Sequence, residues 1–394
     1  LEEYSKTAAK ILVDNNVVSP SEQQDLEDYL TWHMSWLSSG IIEYEEHTFD
    51  ISSYIDLPEQ VDGGLLFELD AFYDEPSKFM VKNQPIQIRG PKYIGSNGEI
   101  MGYAIDFVTA FYNAAYLSED FYTLFQGTAT HYTQLFDIDS LAKYFIMTEV
   151  FFNEDVGLKS TYFYKDLGTL AQMGPVWDMD YSSGGQGVSA EVYDQWQTVF
   201  YSNYSQVDQW YKGLIRDPYF LSKALEVWDT YRETILDIIA EDGSIEQAHD
   251  YIYDSALAND KVWPPDIDSD PHTISTYGFI AGYDTFKTWM THHLHWLDAQ
   301  FTTLEHLTAS VGAFDSGNGV TMTRDGLTVH VAAEEGTTAK FYFNGILQAE
   351  IPVTGGAVSW TASKDQQTAT SDVIQVRIYR EDGSQVGSDF VDFR

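Results

Sequence analysis

Two acidic segments of this chain are separated by a sequence that is typical of a β-hairpin. The first segment contains Asn153 and Asp155, and the second contains Asp178 and Asp180. Residues 160–177 between them combine β-branched and aromatic side chains with a central turn. A hairpin brings its two ends back to one place. The pattern therefore predicts a cluster of carboxylates, which suits the binding of a hard divalent cation or proton transfer.

The predicted hairpin has two arms. Its first arm is Ser160–Asp166, which is rich in Thr, Tyr and Phe. Leu167-Gly168 supplies the turn, and the second arm covers Thr169–Trp177. The two acidic segments then lie at the open end of the hairpin, at nearly equal distances from the turn.

The chain is strongly acidic. Its 394 residues include 21 Lys and Arg and 61 Asp and Glu, which gives a net charge of −40. Such a charge repels phosphate backbones and favours association with cations, so we expect no nucleic-acid partner. With 44% hydrophobic and 15% aromatic residues, the chain can form a substantial core. Aromatic stripes at helical spacing are more often core than sugar-binding platforms.

The sequence contains no cysteine, which excludes disulfides, thiolate metal sites and Cys nucleophiles in this chain. No apolar run approaches the roughly 20 residues that span a bilayer, so we expect no membrane span. These features fit an exported bacterial protein that is extracellular or attached to the cell surface. Because the chain begins at Leu1 and carries no signal peptide, we expect it to be a processed or trimmed fragment.

Several segments carry helix or strand signals. Ser19-Pro20-Ser-Glu22 has the spacing of a capping box and predicts a helix that reaches Gly40. Residues 78–89 have strand character, with a break expected at Pro85. Asp137-Ile-Asp139 can cap a helix whose apolar positions include Leu141, Phe145 and Phe152. An apolar stripe predicts one long helix over 284–307.

The sequence pattern changes near residue 309 from helix-like to strand-like. Short strand-like segments then alternate with turn pairs such as Asp325-Gly326 and Asn344-Gly345, which are strong hairpin signals. We therefore predict an α+β fold in which a mainly helical lobe with a central β-hairpin precedes a small all-β sandwich of immunoglobulin-like type. The expected domains are a helical segment over 1–62, the main lobe over 63–308 and the sandwich over 309–394.

Four segments occur in an order that is specific enough to compare with known families. They are Gly63–Asp70, the helix that begins near Asp139, the region formed by Asn153–Asp155 and Lys159–Asp166, and Gly174–Asp180. This ordered set resembles the spore coat protein H family, also called the CotH kinase family, over about residues 63–300. The resemblance implies a kinase-like lobe of the atypical protein-kinase type, which phosphorylates other proteins using ATP and a divalent cation.

The resemblance also implies a role for each residue of the predicted cluster. Asp155 resembles the catalytic aspartate that accepts or orients the proton of the acceptor hydroxyl, and Asn153 would orient Asp155. Asp178 resembles the ligand of Mg²⁺ or Mn²⁺, and Asp180 is a second ligand or a partner of the first. Phosphoryl transfer needs this arrangement because the metal offsets phosphate charge while a carboxylate positions the nucleophile.

The nucleotide-binding part of the family pattern is not evident in this sequence. Residues 1–62 contain no match to the motifs that hold ATP phosphates, so we expect that lobe to precede Leu1 or to be missing from this member. Arg89 and Lys92 are candidate cofactor-binding residues because cations are rare in so acidic a chain. Solvated surface charge is the plainer interpretation of both.

Two further metal-like patterns are weaker. Asp266, Asp268 and Asp270 resemble the start of a calcium loop, but Pro271 and Tyr277 occupy the positions that an EF-hand requires to be Gly and Glu. An EF-hand is therefore rejected, and a looser structural Ca²⁺ site remains an alternative. His292, His293 and His295 lie on a predicted helix, where His292 and His295 share a face without an evident third metal ligand. We therefore expect these histidines to be packed or exposed.

The leading hypothesis is a secreted protein kinase-like domain that transfers phosphate from ATP to Ser or Thr of a protein partner. The first alternative is a catalytically inactive scaffold of an extracellular bacterial assembly, such as a cellulosome, associated with polysaccharide. A glycoside hydrolase that uses paired carboxylates ranks last because no sugar-hydrolase motif is present. The spore coat is the alternative location to the cell surface.

Overall fold

The structure is a computed structural model. It describes residues 1–58, 61–91, 94, 98–118, 120–184, 192–199, 210–264, 278–314, 320–343, 346–363, 373–381 and 385–392. Helices and strands both contribute substantially, so the predicted α+β class is confirmed. Among the helices that are described, none has the length and apolarity needed to cross a bilayer.

The α-helices of the described residues lie between Glu2 and Phe314. Within the described residues they are α1 (Glu2–Asp14), α2 (Gln23–Trp32), α3 (Ser35–Ser39), α4 (Glu99–Tyr112), α5 (Ile138–Phe151), α6 (Trp210–Leu214), α7 (Pro218–Asp237), α8 (Ser244–Val262), α9 (Gly278–Gln300) and α10 (Leu304–Phe314).

The strands fall into an earlier set and a later set. The earlier strands are β1 (Ile41–Tyr44), β2 (His47–Asp50), β3 (Leu65–Leu69), β4 (Lys78–Val81), β5 (Gln84–Gly90), β6 (Tyr122–Phe125), β7 (Thr128–His131), β8 (Thr161–Lys165) and β9 (Gln172–Met173). The later strands are β10 (Thr321–Asp325), β11 (Thr328–Ala332), β12 (Thr338–Phe343), β13 (Ile346–Pro352), β14 (Ala357–Thr361), β15 (Val373–Tyr379) and β16 (Gln385–Asp392).

Contacts within the chain divide it into two compact units. The first unit contains Leu1–Tyr144, Asp155–Trp177 and Val207–Gly213. The second contains Phe145–Glu154, Asp178–Gln206 and Leu214–Arg394. The domain boundaries expected from sequence, near residues 62 and 308, stay a prediction.

A five-stranded antiparallel sheet organises the first unit, in the order β4-β5-β3-β8-β9. The predicted hairpin is part of this sheet, because β8 pairs with β9 and places Phe163 opposite Met173. Its second arm is much shorter than expected, and the longer partner of β8 is β3. The early end of β9 has a physical reason: Pro175 offers no amide hydrogen to continue the ladder.

The sheet also corrects the expected strand break. Residues 78–89 do contain two strands, but the turn between them lies at Lys82-Asn83, where Lys82 has a positive φ of 54°. Pro85 lies inside β5, opposite Met80. Its carbonyl oxygen still accepts the amide of Asp70 at 3.1 Å, so the ladder loses only the hydrogen bond that the missing amide would donate.

Aromatic side chains fill the core beneath this sheet. Phe67 of β3 stacks on Phe163 of β8 with ring centres 4.5 Å apart. Trp210 of α6 meets Phe163 edge-on at 5.2 Å, and its indole N–H donates to the Gln84 side chain at 2.6 Å. These rings are buried. The aromatic richness of this part of the chain therefore serves packing.

The N-terminal residues form a small core of their own. The capping box at Ser19 and Glu22 is present, with Pro20 at the first helical position. The single helix expected from it is two helices, α2 and α3, and the second ends at Gly40 with a φ of 72°. The buried apolar side chains shared by α1, α2, α3 and the β1–β2 hairpin are Ala8, Ala9, Leu12, Val18, Leu26, Leu30, Trp36, Leu37, Ile42 and Ile51.

Helices dominate the first part of the second unit. Asp217 caps α7 by accepting the amide of Tyr219 at 2.9 Å. The long helix predicted over 284–307 is two helices, because α9 ends at Gln300 and Thr303 caps α10 by accepting the amide of His306 at 3.1 Å. Arg232 of α7 makes two hydrogen bonds to Asp298 of α9, at 2.5 and 2.6 Å.

The later strands form two antiparallel sheets, β10-β11-β14 and β13-β12-β15-β16. Asp325-Gly326 lies at the turn between β10 and β11, as predicted. Apolar side chains of both sheets, including Val329, Phe341 and Val376, belong to one buried cluster. The described residues from Thr321 to Asp392 contribute strands, whereas α10 extends to Phe314 within the predicted range of the sandwich. The immunoglobulin-like type stays a prediction.

Candidate functional site

The helix α5 delivers the first acidic segment. Asp137 accepts the amide of Ser140 at 2.7 Å and so caps the helix start, as predicted. The expected apolar positions Leu141, Phe145 and Phe152 are fully buried. Phe152 has a positive φ of 48°, which ends the helix and turns the chain towards Asn153.

Backbone hydrogen bonds hold the loop after α5 against the loop that follows Asp178. The amide of Glu154 donates to the carbonyl of Tyr181 at 3.0 Å. The amide of Ser183 donates to the carbonyl of Phe151 at 2.6 Å. Two bonds of opposite direction fix both the distance and the register of the two loops.

Asn153 is buried within this pair of loops, with about 1% of its surface exposed. Its side-chain amide nitrogen lies 3.2 Å from the sulfur of Met179. Its backbone carbonyl oxygen accepts a 2.5 Å hydrogen bond from the Gln197 side chain. The contacts of Asn153 thus fix the backbone two residues before Asp155. Whether its side chain orients Asp155, as expected from the resemblance, stays a prediction.

Asp155 is also buried, with 3% of its surface exposed. One of its carboxylate oxygens, Oδ2, lies 3.2 Å from the ammonium of Lys159, one helical turn later. Its own carbonyl accepts the amides of Leu158 and Lys159 at 2.9 and 3.0 Å. The short turn that follows Asp155 therefore supplies a cation beside its carboxylate.

Asp178 and Asp180 lie in an exposed segment without regular secondary structure. Asp178 has a positive φ of 59°, a conformation that Asp and Asn tolerate better than most residues. The preceding Trp177 is 60% exposed. This segment is open to solvent, whereas Asp155 is not.

One carboxylate oxygen from each of Asp155, Asp178 and Asp180 lies within 4.8 Å of the other two. The structure thus brings together the three acidic residues that the sequence singled out. Three carboxylates at this spacing form the oxygen-rich, negatively charged ligand set that Mg²⁺ and Mn²⁺ prefer.

Arg89, a predicted cofactor-binding residue, lies on β5. Its guanidinium is 2.5 Å from the Glu75 carboxylate and 3.4 Å from that of Glu68. Burial raises the pKa of Glu68, and the hydrogen bond from Tyr162 together with Arg89 opposes that rise. The charge of Arg89 is compensated by two carboxylates. Lys92 lies outside the described residues, as do Asp266, Asp268 and Asp270.

The sequence missed a buried polar network next to the site. Glu149 is fully buried on α5, and its two carboxylate oxygens accept the amides of Gln197 and Thr198 at 2.7 and 3.0 Å. Burial raises the pKa of Glu149 to about 7, and these hydrogen bonds oppose the rise. One signal was available: an acidic residue on the otherwise apolar side of α5 needs a partner.

The histidine expected to pack is the third member of this network. His293 is fully buried, and its two ring nitrogens lie 2.7 Å from the carbonyl oxygen of Tyr193 and 2.6 Å from that of Glu149. Burial lowers its pKa, while the two carbonyl oxygens act in the opposite direction. A packing role for His293, rather than metal binding, agrees with these contacts.

Comparison with known proteins identifies the region that holds this site. Residues 112–297 match the family model described as CotH kinase protein. This region contains α5, the hairpin and the acidic trio, and the match supports its assignment to the CotH kinase family. The first resembling segment, Gly63–Asp70, lies before the matched residues. No curated protein matches the chain, and no solved structure does.

Proposed function

We propose that this chain carries a phosphotransferase site of the CotH kinase type, with Asp155 as the catalytic aspartate and Asp178 and Asp180 as the metal ligands. The observation that supports the proposal is the acidic trio, whose carboxylate oxygens converge within 4.8 Å in the region that matches the family. Mg²⁺ or Mn²⁺ bound there would offset the negative charge of the ATP phosphates.

The difference in burial between the acidic residues fits their proposed division of labour. Asp155 is held by the turn that follows it and has a buried carboxylate, which suits a group that must meet an acceptor hydroxyl in one orientation. Asp178 and Asp180 are exposed, so an ion with bound nucleotide can reach them from solvent. The phosphoacceptor in this proposal is Ser or Thr of a protein partner, and the location is outside the cell.

The test separates metal binding from phosphoryl transfer. Mn²⁺ is first titrated into the 394-residue chain by calorimetry, and labelled ATP with Mn²⁺ or Mg²⁺ and protein acceptors is then added. For Asp178→Asn we expect Mn²⁺ affinity about 10- to 100-fold weaker. For Asp155→Asn we expect transfer about 10²- to 10⁴-fold slower. Asp229→Asn, an exposed change on α7, is the matched control and should behave as the wild type.

Equal labelling by the wild type and both site variants would reject the kinase assignment. Loss of labelling in Asp229→Asn as well would show that the effect is not specific to the trio. These two outcomes distinguish a wrong site from a general loss of structure.

A second candidate function is a catalytically inactive scaffold of an extracellular assembly, with polysaccharide as an associated partner. The observation that favours it is Arg89, whose charge is already compensated by Glu68 and Glu75. A nucleotide phosphate would have to compete with both carboxylates for it. Calorimetry with ATP and Mg²⁺ discriminates: binding that weakens in Arg89→Ala supports the kinase, and no nucleotide binding by the wild type supports the scaffold.

A further inference from the structure

A buried arginine of the C-terminal strands contacts the segment 192–199. Arg377 of β15 has 1% of its side chain exposed, and its guanidinium lies 4.3 Å from the centre of the Tyr342 ring. One guanidinium nitrogen lies 3.2 Å from the Asp194 carboxylate and 3.4 Å from the Asp194 carbonyl oxygen. The Arg377 guanidinium thus contacts this segment at Asp194, through both the side chain and the backbone of that residue.

The residues on either side of Asp194 are attached to α5. On one side, His293 links the carbonyl oxygen of Tyr193 to that of Glu149. On the other side, the Glu149 carboxylate accepts two consecutive amides, those of Gln197 and Thr198. The segment 192–199 is therefore held along its length by buried polar groups, and Arg377 contacts it between the two attachments.

The same segment continues to the candidate site. The side chain of Gln197 donates to the carbonyl oxygen of Asn153 at 2.5 Å. The next residue, Glu154, bonds through its amide to Tyr181 in the loop after Asp178. Two sets of hydrogen bonds, connected by the chain from Asp194 to Gln197, thus join Arg377 to the backbone immediately before Asp155.

We propose that Arg377 of the C-terminal strands is a positioning residue for the acidic site, and that it acts through Asp194 and the segment 192–199 on the loop at Asn153. The proposal rests on the proposed function, because the affected property is the metal affinity of the trio. Catalytic groups need support that holds them within about half an ångström of the productive geometry. In this view the C-terminal strands complete the site.

The side chain to change is Asp194, because it is 45% exposed and its truncation leaves the strand core intact. Asp194→Ala removes the carboxylate that faces Arg377, and Asp194→Glu keeps a carboxylate there as the rescue variant. The matched control is Glu334→Ala, which removes the partner of another arginine of the same strands, Arg380, from an exposed pair 3.5 Å apart. Arg377→Lys is the second variant, since it keeps a cation but loses the planar fork.

Three readouts are taken on the 394-residue chain: Mn²⁺ affinity by calorimetry, hydrogen exchange of the amides of residues 151–156, and melting temperature. For Asp194→Ala we expect Mn²⁺ affinity about tenfold weaker, at the lower end of losses caused by outer partners of metal ligands. We also expect faster exchange in residues 151–156. Asp194→Glu should recover most of both, Arg377→Lys should show the same losses more weakly, and Glu334→Ala should match the wild type.

Unchanged exchange of residues 151–156 in both Asp194→Ala and Arg377→Lys overturns the proposal, and so does an equal effect of Glu334→Ala. A lower melting temperature with wild-type exchange in that loop would assign Arg377 a purely structural role. If the wild type binds no Mn²⁺, the proposed function fails, and the exchange data alone decide the positioning role. Faster exchange in residues 151–156 then supports the coupling, and unchanged exchange refutes it.

Discussion

The two loops that supply the acidic trio are built in different ways. The loop at Asn153–Asp155 is buried and bonded to Gln197, Tyr181 and Lys159. The loop at Asp178–Asp180 leaves both carboxylates exposed. A metal site needs both properties. The buried loop fixes the geometry of its ligand before the ion binds, and the exposed loop lets the ion enter from solvent. The free-energy cost of burying polar groups therefore falls on the loop at Asn153–Asp155, where hydrogen bonds of the polar network offset it.

The largest expected effect on stability comes from removing the buried carboxylate of Glu149. Glu149→Leu leaves the amides of Gln197 and Thr198 without their acceptor, and each buried unsatisfied donor costs about 1–3 kcal/mol. We expect the free energy of unfolding to fall by about 2–5 kcal/mol, measured by urea denaturation. Glu233→Leu, an exposed change on α7, is the control and should stay within about 0.5 kcal/mol. A loss below that value in Glu149→Leu would break the contrast between the loops.

The second prediction concerns pH. In the folded chain the pKa of Glu149 is raised to about 7 by burial, whereas in the unfolded chain it lies near its ordinary value. The folded state keeps the proton over the interval between these values, so the stability associated with Glu149 is complete below the ordinary pKa. This stability is lost as the pH rises through about 7.

The measurement is the difference in unfolding free energy between the wild type and Glu149→Gln at pH 5, 6.5 and 8. Because Gln does not titrate, we expect this difference to shift against the wild type by up to about 3 kcal/mol as the pH rises. A difference that stays constant with pH would show that Glu149 ionises as freely as an exposed carboxyl, and would contradict its assigned role in the buried half.

The third prediction tests whether the backbone conformation of Asp178, rather than side-chain packing, limits which residues the exposed loop accepts. Asp178 has a positive φ, which a β-branched residue adopts at a cost of about 1–2 kcal/mol. We expect Asp178→Val to lower the unfolding free energy by that amount in metal-free buffer, and Asp178→Asn to leave it within about 0.5 kcal/mol. Asp180→Val, in the same exposed loop, is the control. Equal losses in Asp178→Val and Asp180→Val would show that φ is not the cause.

The smallest expected effect comes from the cation that neighbours the buried carboxylate. Lys159 lies 3.2 Å from Asp155 and repels an incoming divalent ion. We expect Lys159→Met to bind Mn²⁺ about threefold more tightly at low salt, with the gain shrinking as ionic strength rises. Lys143→Met, an exposed change on α5, should leave the affinity unchanged. Weaker binding in Lys159→Met would mean that the pair with Asp155 assists the site.

Local signals in the sequence predicted the starts of several elements. The capping box at Ser19, the cap at Asp137 and the hairpin turn at Asp325-Gly326 are all present. Each of these signals depends on residues only a few positions apart, so the sequence pattern includes all the residues that form the structure. Two other local interpretations were wrong: Pro85 lies within a strand, where its carbonyl oxygen accepts the amide of Asp70, and the expected long helix is divided at Thr303, which caps α10.

The candidate site shows the same division. The motif order indicated Asp155, Asp178 and Asp180 together, since a hairpin fixes the separation of its own ends. Nothing in the sequence linked Gln197 to Asn153, which are 44 positions apart, or Arg377 to Asp194, which are 183 apart. Such pairs lack a repeating pattern, and their energies depend on burial that only the folded chain creates.

The amino-acid order by itself determined the α+β class, the family of residues 112–297 and the identity of the three converging carboxylates, because those features follow from short-range backbone preferences and from a compact motif. The folded chain alone decided that β8 would pair chiefly with β3, and that one carboxylate would be buried on a polar network while two stayed open. Contacts between distant residues set which polar groups lose water, and that loss is a property of the assembled core.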